Sequence, residues 1–406
     1  MPGHRTAHAR AGLGLWLFVG GAAALTVQWM VCWAAGAHPG QPWAALLPGL
    51  CIFGAAFMLT WAAEAAEKDL PQNVAIGILA LIAVLPEYAV DIYFAWTAAK
   101  DPAYTAYAAA NMTGANRLLI GIGWPAVLFA CWMKLGQKEI RLGARNAPEL
   151  MTLFVATVYS IIIPIKGTLS MLDCVVLLSL FGFYAYICSR AELEEPELEG
   201  PAEIIADLPV LWRRVSVAGL FAVAAFAIFI SAEPFAEGIL DLGRHWGIEE
   251  FILVQWLAPL ASEAPEFIVA LLFAMKGKAS VGLRALVSSK VNQWTLLVGM
   301  LPAAYSLSSG RVAAMHLDAR QIEEILLTSA QSLFGLTLLL NLRFSAPEAI
   351  MLCALFTTQM FFPQTEVRYA FAGLYIVLSV GMVLAQADRR AHLKTLLSRA
   401  LHPGGD

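Results

Sequence analysis

The sequence has few charged residues. Only 14% of its 406 residues are Asp, Glu, Lys or Arg, whereas 59% are hydrophobic, and the mean hydropathy is +0.69. Soluble domains carry about 25% charged residues, so this composition excludes a soluble globular protein. It predicts an integral membrane protein, with membrane lipid as a partner and no nucleic-acid partner.

Motifs for metal centres and for enzymes are also missing. The six cysteines stand singly, without a CxxC pair or a Cys/His cluster, so neither a disulfide frame nor a zinc site is predicted. The seven histidines fall in tails and predicted loops, which argues against a His-built metal centre in the membrane. There is no Gly-x-Ser-x-Gly, phosphate loop or His/Glu metal motif. We therefore expect no enzymatic activity and no cofactor.

Long apolar runs are abundant. A membrane-spanning helix needs about 20 apolar residues, and twelve runs approach or exceed that length. They fall at residues 13–35, 44–63, 71–97, 104–133, 149–165, 168–189, 215–232, 248–275, 280–304, 320–341, 346–362 and 369–386. The first run follows Arg5 and Arg10, and a signal peptide is the alternative interpretation of it.

The Lys and Arg residues fall mostly on one side of these runs. With the N-terminus inside, 17 of the 26 lie in inside loops, 6 in outside loops and 3 within helices. Cytoplasmic loops carry an excess of Lys and Arg, so both termini are predicted to be cytoplasmic. We expect the protein in a bacterial plasma (inner) membrane; its oligomeric state is not predicted.

Two Pro-Glu pairs interrupt apolar runs. Pro86-Glu87 lies within residues 82–91 and Pro265-Glu266 within residues 257–267, and an aromatic residue follows each pair. On the predicted topology the first Pro-Glu helix runs from inside to outside and the second runs from outside to inside. Two inverted repeats are thus predicted, an architecture that places the site of many secondary transporters near the membrane midplane.

The helix after each Pro-Glu helix also repeats a pattern. Asn116 is followed seven residues later by Gly123, and Asn292 by Gly299 at the same spacing. The predicted domains follow from these two repeats. They are an extra helix (1–43), the first repeat (44–190), an acidic cytoplasmic linker (191–213), the second, inverted repeat (214–362), and an extra helix with a basic tail (363–406).

Acidic residues inside the apolar runs are functional candidates, since each costs at least about 2.5 kcal/mol in a membrane. Glu87 and Asp91 are four residues apart and share one helix face. Ser262, Glu263 and Glu266 are likewise spaced so that all three can face one cavity. Clustered carboxylates repel each other and take up protons unless a cation binds, so such a site can exchange protons for metal ions.

The two prolines add further oxygen ligands. A proline inside a helix removes one backbone hydrogen bond, so Pro86 would free the carbonyl of Ile82 and Pro265 that of Ala261. Carboxylate, carbonyl and hydroxyl oxygens are the ligands of hard cations such as calcium and sodium. The sequence therefore predicts a cation site at each Pro-Glu pair.

At these residues the chain resembles the cation/calcium antiporter superfamily, which includes the sodium/calcium exchangers. The two Pro-Glu pairs match that family's motifs, Gly114-Ala115-Asn116 resembles its Gly-Ser-Asn, and Asn292 matches the corresponding asparagine. The resemblance implies an all-α polytopic membrane protein of about 12 spans. Two inverted-topology repeats would form a ten-helix exchanger core in residues 44–362, with one extra transmembrane helix at each end.

The resemblance also implies roles for the site residues. Glu87 and Glu266 would be the central metal ligands. The auxiliary cation ligands would be Ser262, Asn116, Asn292, Glu263 and Asp91.

The chain departs from the family pattern at several positions. Ala83 and Val84 stand where hydroxyls precede the first glutamate, and Leu119 replaces a polar residue. Arg117 follows Asn116 directly, and Lys290 precedes Asn292 by two residues. We expect both cations to modulate the site.

Glu263 is a further departure, because it replaces a hydroxyl of the family pattern, and we expect Lys290 to be its partner. Structural buried ion pairs are the alternative for Asp91, Glu263, Arg117 and Lys290.

Three functions remain open from the sequence. The leading hypothesis is a secondary active antiporter that exchanges a small inorganic cation, Ca²⁺ before others, for Na⁺ or H⁺ by alternating access. A Na⁺/H⁺ or other monovalent cation exchanger is the second, because Arg117 and Lys290 would neutralise carboxylates. The third is a non-transporting membrane scaffold or sensor with the same fold, because several of the family's ligands are missing.

Overall fold

The computed structural model describes residues 3–69, 84–143, 146–190, 198 and 200–392, with side chains from Leu17 onward. The predicted carbonyl of Ile82, most of the acidic segment of the linker and the end of the basic tail lie outside the described residues. The described chain is almost entirely helical, with four short strands.

The helices are numbered in chain order. They are α1 (Gly3–Ala34), α2 (Trp43–Ala66), α3 (Leu85–Ala98), α4 (Tyr104–Leu118), α5 (Trp124–Leu135), α6 (Ala147–Ser160), α7 (Ile162–Lys166), α8 (Met171–Cys188), α9 (Pro201–Ala206), α10 (Val210–Trp246), α11 (Glu250–Met275), α12 (Ala279–Asn292), α13 (Val298–Ser309), α14 (Ala319–Leu339), α15 (Ala346–Met360) and α16 (Thr365–Ala385). Two π-helical segments join helices without a break. Segment π1 (Leu119–Gly123) lies between α4 and α5, and segment π2 (Gln293–Leu297) lies between α12 and α13.

Nine helices in the described ranges are long and apolar enough to cross a membrane. Three further predicted runs are not among them. Residues 71–83 of the run at 71–97 lie outside the described residues, and residues 85–97 of it belong to α3. The run at 280–304 falls in a continuous helical stretch, 279–309, that carries Arg284 and Lys290. The run at 346–362 forms the 15-residue α15. The chain is an all-α polytopic membrane protein, as its sequence predicts.

The described chain divides into two compact units. The first unit comprises residues 1–90, 192–253 and 260–265. In it α2 packs against the long α10, and the indole of Trp29 on α1 donates to the carbonyl of Ile230 at 3.4 Å. The C-terminal part of α2 is rich in alanine. These small side chains allow α9 and α10 to approach closely, and Ala62, Ala65 and Ala206 are fully buried there.

An ion-pair cluster closes one end of this unit. Asp69, just after α2, accepts two hydrogen bonds from the Arg213 guanidinium, at 2.7 and 2.8 Å, and one from Arg214 at 3.3 Å. The hydrogen bonds from Arg213 are the main reason that the pKa of Asp69 falls to about 2. Lys68 pairs beside it with Asp207 at 3.1 Å. These pairs attach the end of α2 to the start of α10.

The second unit comprises residues 91–191, 254–259 and 266–406. Its core contains large aromatic side chains. Four that are fully buried are Trp124, Trp294, Phe334 and Phe356. Burial of such large side chains contributes much of the packing energy of a helical bundle. The helices that carry them are α5, α14 and α15 and the segment π2.

Two short antiparallel ribbons fix the direction of the helices in this unit. Strand β1 (Glu139–Arg141) pairs with β4 (Arg343–Ser345), and β2 (Thr168–Leu169) pairs with β3 (Met315–His316). Helices α6 and α7 lead from β1 to β2, whereas α14 leads from β3 to β4. Because β1 lies beside β4 and β2 beside β3, α6 and α14 run in opposite directions. This opposite direction is the one that the predicted inverted repeats require of these two helices.

Candidate functional site

The first Pro-Glu pair lies at the start of a helix. Val84 is in a turn and α3 begins at Leu85, so Pro86 and Glu87 occupy its first turn. The structure thus places Pro86 in the first turn of α3, where a helix tolerates proline, whereas the predicted freeing of the Ile82 carbonyl lies outside the described residues. The Glu87 side chain is only 3% exposed. A helix N-terminus favours a carboxylate, which helps to hold this buried acid.

The second Pro-Glu pair lies inside a helix, as predicted. Helix α11 runs without a break through Pro265, and Glu266 on it is half-buried. Ser262 and Glu263 lie on the preceding turn, and both are buried. The two Pro-Glu pairs therefore have different backbone surroundings although their sequences are alike.

The predicted ligands are divided between the two compact units. Glu87, Ser262 and Glu263 belong to the first unit, whereas Glu266 and Asp91 belong to the second. Convergence of the glutamates on one cation, and pairing of Glu263 with a residue of the second unit, stay predictions. Within the described ranges, no three His, Cys, Asp or Glu side chains are grouped as ligands of a metal ion.

Asp91 has an amide partner that the sequence analysis missed. Its Oδ1 accepts a hydrogen bond from Asn111 Nδ2 at 2.9 Å, and both side chains are buried. A buried carboxylate with a neutral hydrogen-bond donor is not an ion pair. The ion-pair alternative for Asp91 thus has no support in this contact.

Asn116 and Lys290 are in direct contact. The Lys290 ammonium on α12 donates to the Asn116 backbone carbonyl at 3.3 Å and also to the Asn116 side-chain Oδ1. Asn116 Nδ2 donates to the Met112 carbonyl at 2.7 Å, which fixes the direction of the amide. Neither Asn116 nor Lys290 is exposed at all, and Asn292 is also buried. The structure thus brings together one predicted cation ligand and one predicted modulating cation.

Arg117 is paired with an acid from another part of the chain. Its Nη1 lies 2.7 Å from Glu324 Oε2, and both side chains are 1% exposed. The guanidinium also contacts the side chains of Gln331 and Gln359 and lies 5.4 Å from the ring centre of Trp256. This is the structural buried ion pair that the sequence left as an alternative.

The ion pair extends into a wider buried network. Arg368 pairs with Glu323 and lies 3.1 Å from Glu324, and Gln255 Nε2 donates to Glu324 at 3.0 Å. Arg368 is one of the six Lys and Arg residues that the predicted topology assigns to outside loops, but the structure places it on α16, where it is 5% exposed. Glu323 and Glu324 lie in an apolar run and were not among the predicted site residues. The rule applied to Glu87, that acids in spans are candidates, would have found them.

The two asparagine helices share a backbone irregularity. Segment π1 begins three residues after Asn116, and segment π2 begins one residue after Asn292. Short π-helical turns inside α-helices occur frequently at functional sites, because the extra residue re-aims neighbouring side chains. Their presence at both asparagines supports a functional role for the two helices.

The comparisons with known proteins agree with this architecture. The model of the family described as sodium/calcium exchanger protein matches residues 41–190 and again 216–363. No curated protein matches the sequence. The crystal structure of the H⁺/Ca²⁺ exchanger CAX is similar over 97% of this chain and 98% of that one, with 44% identity and a TM-score of 0.90.

More distant structures share the fold. Native YfkE is similar over 88% of this chain and 98% of its own length, with 15% identity and a TM-score of 0.58. The sodium-calcium exchanger NCX_Mj is similar over 78% of this chain and 96% of its own, with 17% identity and a TM-score of 0.51. The two matches of the family model together cover well over half of the chain, which therefore belongs to the sodium/calcium exchanger protein family.

Proposed function

We propose that this protein is a secondary active antiporter that moves Ca²⁺ across its membrane in exchange for H⁺. The observation that carries the proposal is the similarity to the H⁺/Ca²⁺ exchanger CAX, at 44% identity over 97% of the chain. Membership of the exchanger family supports transport rather than enzymatic catalysis.

The site of exchange in this proposal is the pair of Pro-Glu glutamates. Glu87 and Glu266 bind Ca²⁺ as carboxylates, and each accepts a proton when Ca²⁺ leaves. The burial of Glu87 supports this role, because a buried carboxylate without a cation or a proton is costly. The competition of Ca²⁺ and protons for the same oxygens couples the two fluxes.

The remaining predicted ligands have auxiliary roles. Ser262, Glu263 and Asp91 supply further oxygens near the two glutamates, and Asn292 and Asn116 do so from the helices with π-helical segments. Alternating access follows when peripheral helices rock around this site, as expected for inverted repeats.

The organisation of the chain in the membrane is part of the same proposal. The repeats extend over residues 44–190 and 214–362, with both termini in the cytoplasm of a bacterial cell and the carboxylates near the midplane. The excess of Lys and Arg in the predicted inside loops supports this orientation.

A monovalent exchanger is the second candidate. Two buried cations, Arg117 and Lys290, lie beside the asparagines and are the reason to consider it. Arg117 forms an ion pair with Glu324 at 2.7 Å. The observation that favours this candidate is the contact of the Lys290 ammonium with the oxygens of Asn116. Flux measurements with separate gradients distinguish the two functions.

The decisive experiment is ion flux in proteoliposomes made with the purified full chain. An imposed pH gradient should drive Ca²⁺ uptake, whereas a Na⁺ gradient at equal pH should not. Glu87→Gln and Glu266→Gln should each abolish Ca²⁺ uptake, because an amide carries neither the charge nor the exchangeable proton. Glu250→Gln is the matched control on α11; its carboxylate is 29% exposed and pairs with Arg244.

Two results would contradict the proposal. One is Ca²⁺ uptake by both glutamine variants at the wild-type rate. The other is Na⁺ flux that is driven by a pH gradient and does not change when Ca²⁺ is added, which would favour the monovalent exchanger.

A further inference from the structure

Lys290 is a fully buried cation in the core of the second unit. Taking an ammonium out of water costs several kcal/mol, so its contacts must replace hydration. Those contacts include two oxygens of Asn116, the backbone carbonyl and the side-chain Oδ1. The Trp294 ring lies 4.3 Å from the ammonium and adds a cation–π contact.

The two oxygens of Asn116 are held in place for a cation. The hydrogen bond from Asn116 Nδ2 to the Met112 carbonyl turns Oδ1 away from its own helix and towards α12. Backbone and amide carbonyl oxygens are the ligands that Na⁺ takes in transporters built from inverted repeats. An ammonium bound to them occupies the place of a monovalent ion.

The equivalent position in the first repeat has no side chain. Gly114 precedes Asn116 by two residues, as Lys290 precedes Asn292 by two. A Cβ at Gly114 would lie 1.8 Å from the carbonyl oxygen of Gln255, so no lysine can stand there. Of the two helices that carry the asparagines, only α12 therefore bears such an ammonium, which contacts Asn116 on α4.

We infer that Lys290 determines the ion specificity of the exchanger: its ammonium acts as a fixed monovalent cation on Asn116 and excludes Na⁺ from these oxygens. This inference rests on the proposed function in placing Asn116 near the exchange site. It corrects the role of Asn116, which holds the tethered ammonium instead of a transported ion. The exchanger then has no Na⁺ site here, and protons alone serve as counter-ions.

Two substitutions separate the charge of Lys290 from its hydrogen bonds. Lys290→Gln keeps a donor for Asn116 and loses the charge, whereas Lys290→Met keeps the shape and loses both. With Ca²⁺-loaded proteoliposomes at equal pH, an inward Na⁺ gradient should release Ca²⁺ through both variants at least about tenfold faster than through the wild type. Arg284→Gln, a charge removal on the same helix, should behave as the wild type does.

The result separates a tethered cation from a structural contact. If both variants fold and stay as indifferent to Na⁺ as the wild type, Lys290 does not set specificity and the inference is overturned. A Na⁺ response in Lys290→Met without one in Lys290→Gln would also overturn it, because the hydrogen bond and not the charge would then exclude Na⁺.

A binding measurement on the wild type tests the inference without any variant. Ca²⁺ binding should be the same in NaCl as in choline chloride at about 0.15 M, where general screening is equal. A tenfold weaker Ca²⁺ affinity in NaCl overturns the inference even if neither variant folds. Failure of the proposed function would look different, since the wild type would then show no Ca²⁺ flux driven by a pH gradient.

Discussion

The two repeats use the same helix in different ways. Around Asn116 the first repeat has Gly114 before and Arg117 after, whereas around Asn292 the second has Lys290 before and Gln293 after. Each helix continues into a π-helical segment, so the backbone design is shared. The two helices differ in the positions of their charged residues, because the cation follows the asparagine in the first repeat and precedes it in the second.

Both cations reach into the other repeat. Arg117 of the first repeat pairs with Glu324 on α14, and Lys290 of the second repeat binds Asn116 on α4. The first contact is an ion pair, and the second joins an ammonium to the two oxygens of Asn116. Two repeats of the same fold can therefore carry cations with different roles: Arg117 stabilises the bundle, and Lys290 contacts a candidate ligand.

The Arg117–Glu324 pair should give the largest effect on stability. Glu324→Gln removes the acid that pairs with the buried Arg117, which costs about 3–5 kcal/mol. Arg117→Met should cost less, because Arg368 still pairs with Glu324 at 3.1 Å. The double variant should cost much less than the sum of the two, since both charges are then gone. Denaturant unfolding in detergent measures all three, with the exposed Arg343→Met as the control.

A cost below about 1 kcal/mol for each single variant would contradict this account. The Arg117–Glu324 pair would then contribute no more to the free energy of unfolding than a surface ion pair does. Its proposed structural role would also fail if the variants kept their stability but lost Ca²⁺ selectivity, since the two cations would then have the same task.

Gly114 should give the next largest effect. Gly114→Ala places a methyl group against the backbone of Gln255, and such overpacking costs about 1–3 kcal/mol. The matched control is Gly182→Ala on α8, where a Cβ meets nothing within 4 Å. There alanine should be neutral or stabilising, by up to about 1 kcal/mol, because it favours the helix. Equal stabilities of the two variants would show that α4 has room at Gly114.

The smallest expected effect lies outside the asparagine helices, at Asp69. Arg213 depresses the pKa of Asp69 in the folded state to about 2. The Asp69 carboxylate therefore makes its full contribution to the free energy of unfolding above its unfolded-state pKa near 4, and this contribution is lost as the pH falls towards 2. Asp69→Asn should lower the melting temperature by roughly 2 °C at neutral pH. The difference from wild type should vanish near pH 2. A difference that persists there would show that the carboxylate charge is not its cause.

The sequence was most informative where a residue broke a local rule. Glu87 and Glu266 stood out because an acid is costly in a membrane, and a family model and a related exchanger confirm the fold that they indicated. The ribbons β1–β4 and β2–β3 show that α6 and α14 run in opposite directions, as inverted repeats require, although two or three residues give no strand signal in a sequence.

Partners of buried charges were harder to predict. Arg117 and Glu324 are 207 residues apart, and nothing local to either residue indicates the other. Lys290 was expected to pair with Glu263, a prediction that stays open, whereas its contact with Asn116 joins two helices whose packing only the three-dimensional structure gives. The position of Pro86 in a first turn was missed because its run of apolar residues continues upstream without a stop signal.

The central claim is that Ca²⁺ and protons compete for the carboxylates of Glu87 and Glu266. Calorimetric titration of Ca²⁺ into the detergent-solubilised protein, in two buffers of different ionisation enthalpy, counts the protons released on binding. The account predicts proton release with the wild type, and weaker binding with fewer protons released for Glu87→Gln and Glu266→Gln. Ca²⁺ binding that releases no protons, or that is unchanged in both variants, would contradict it.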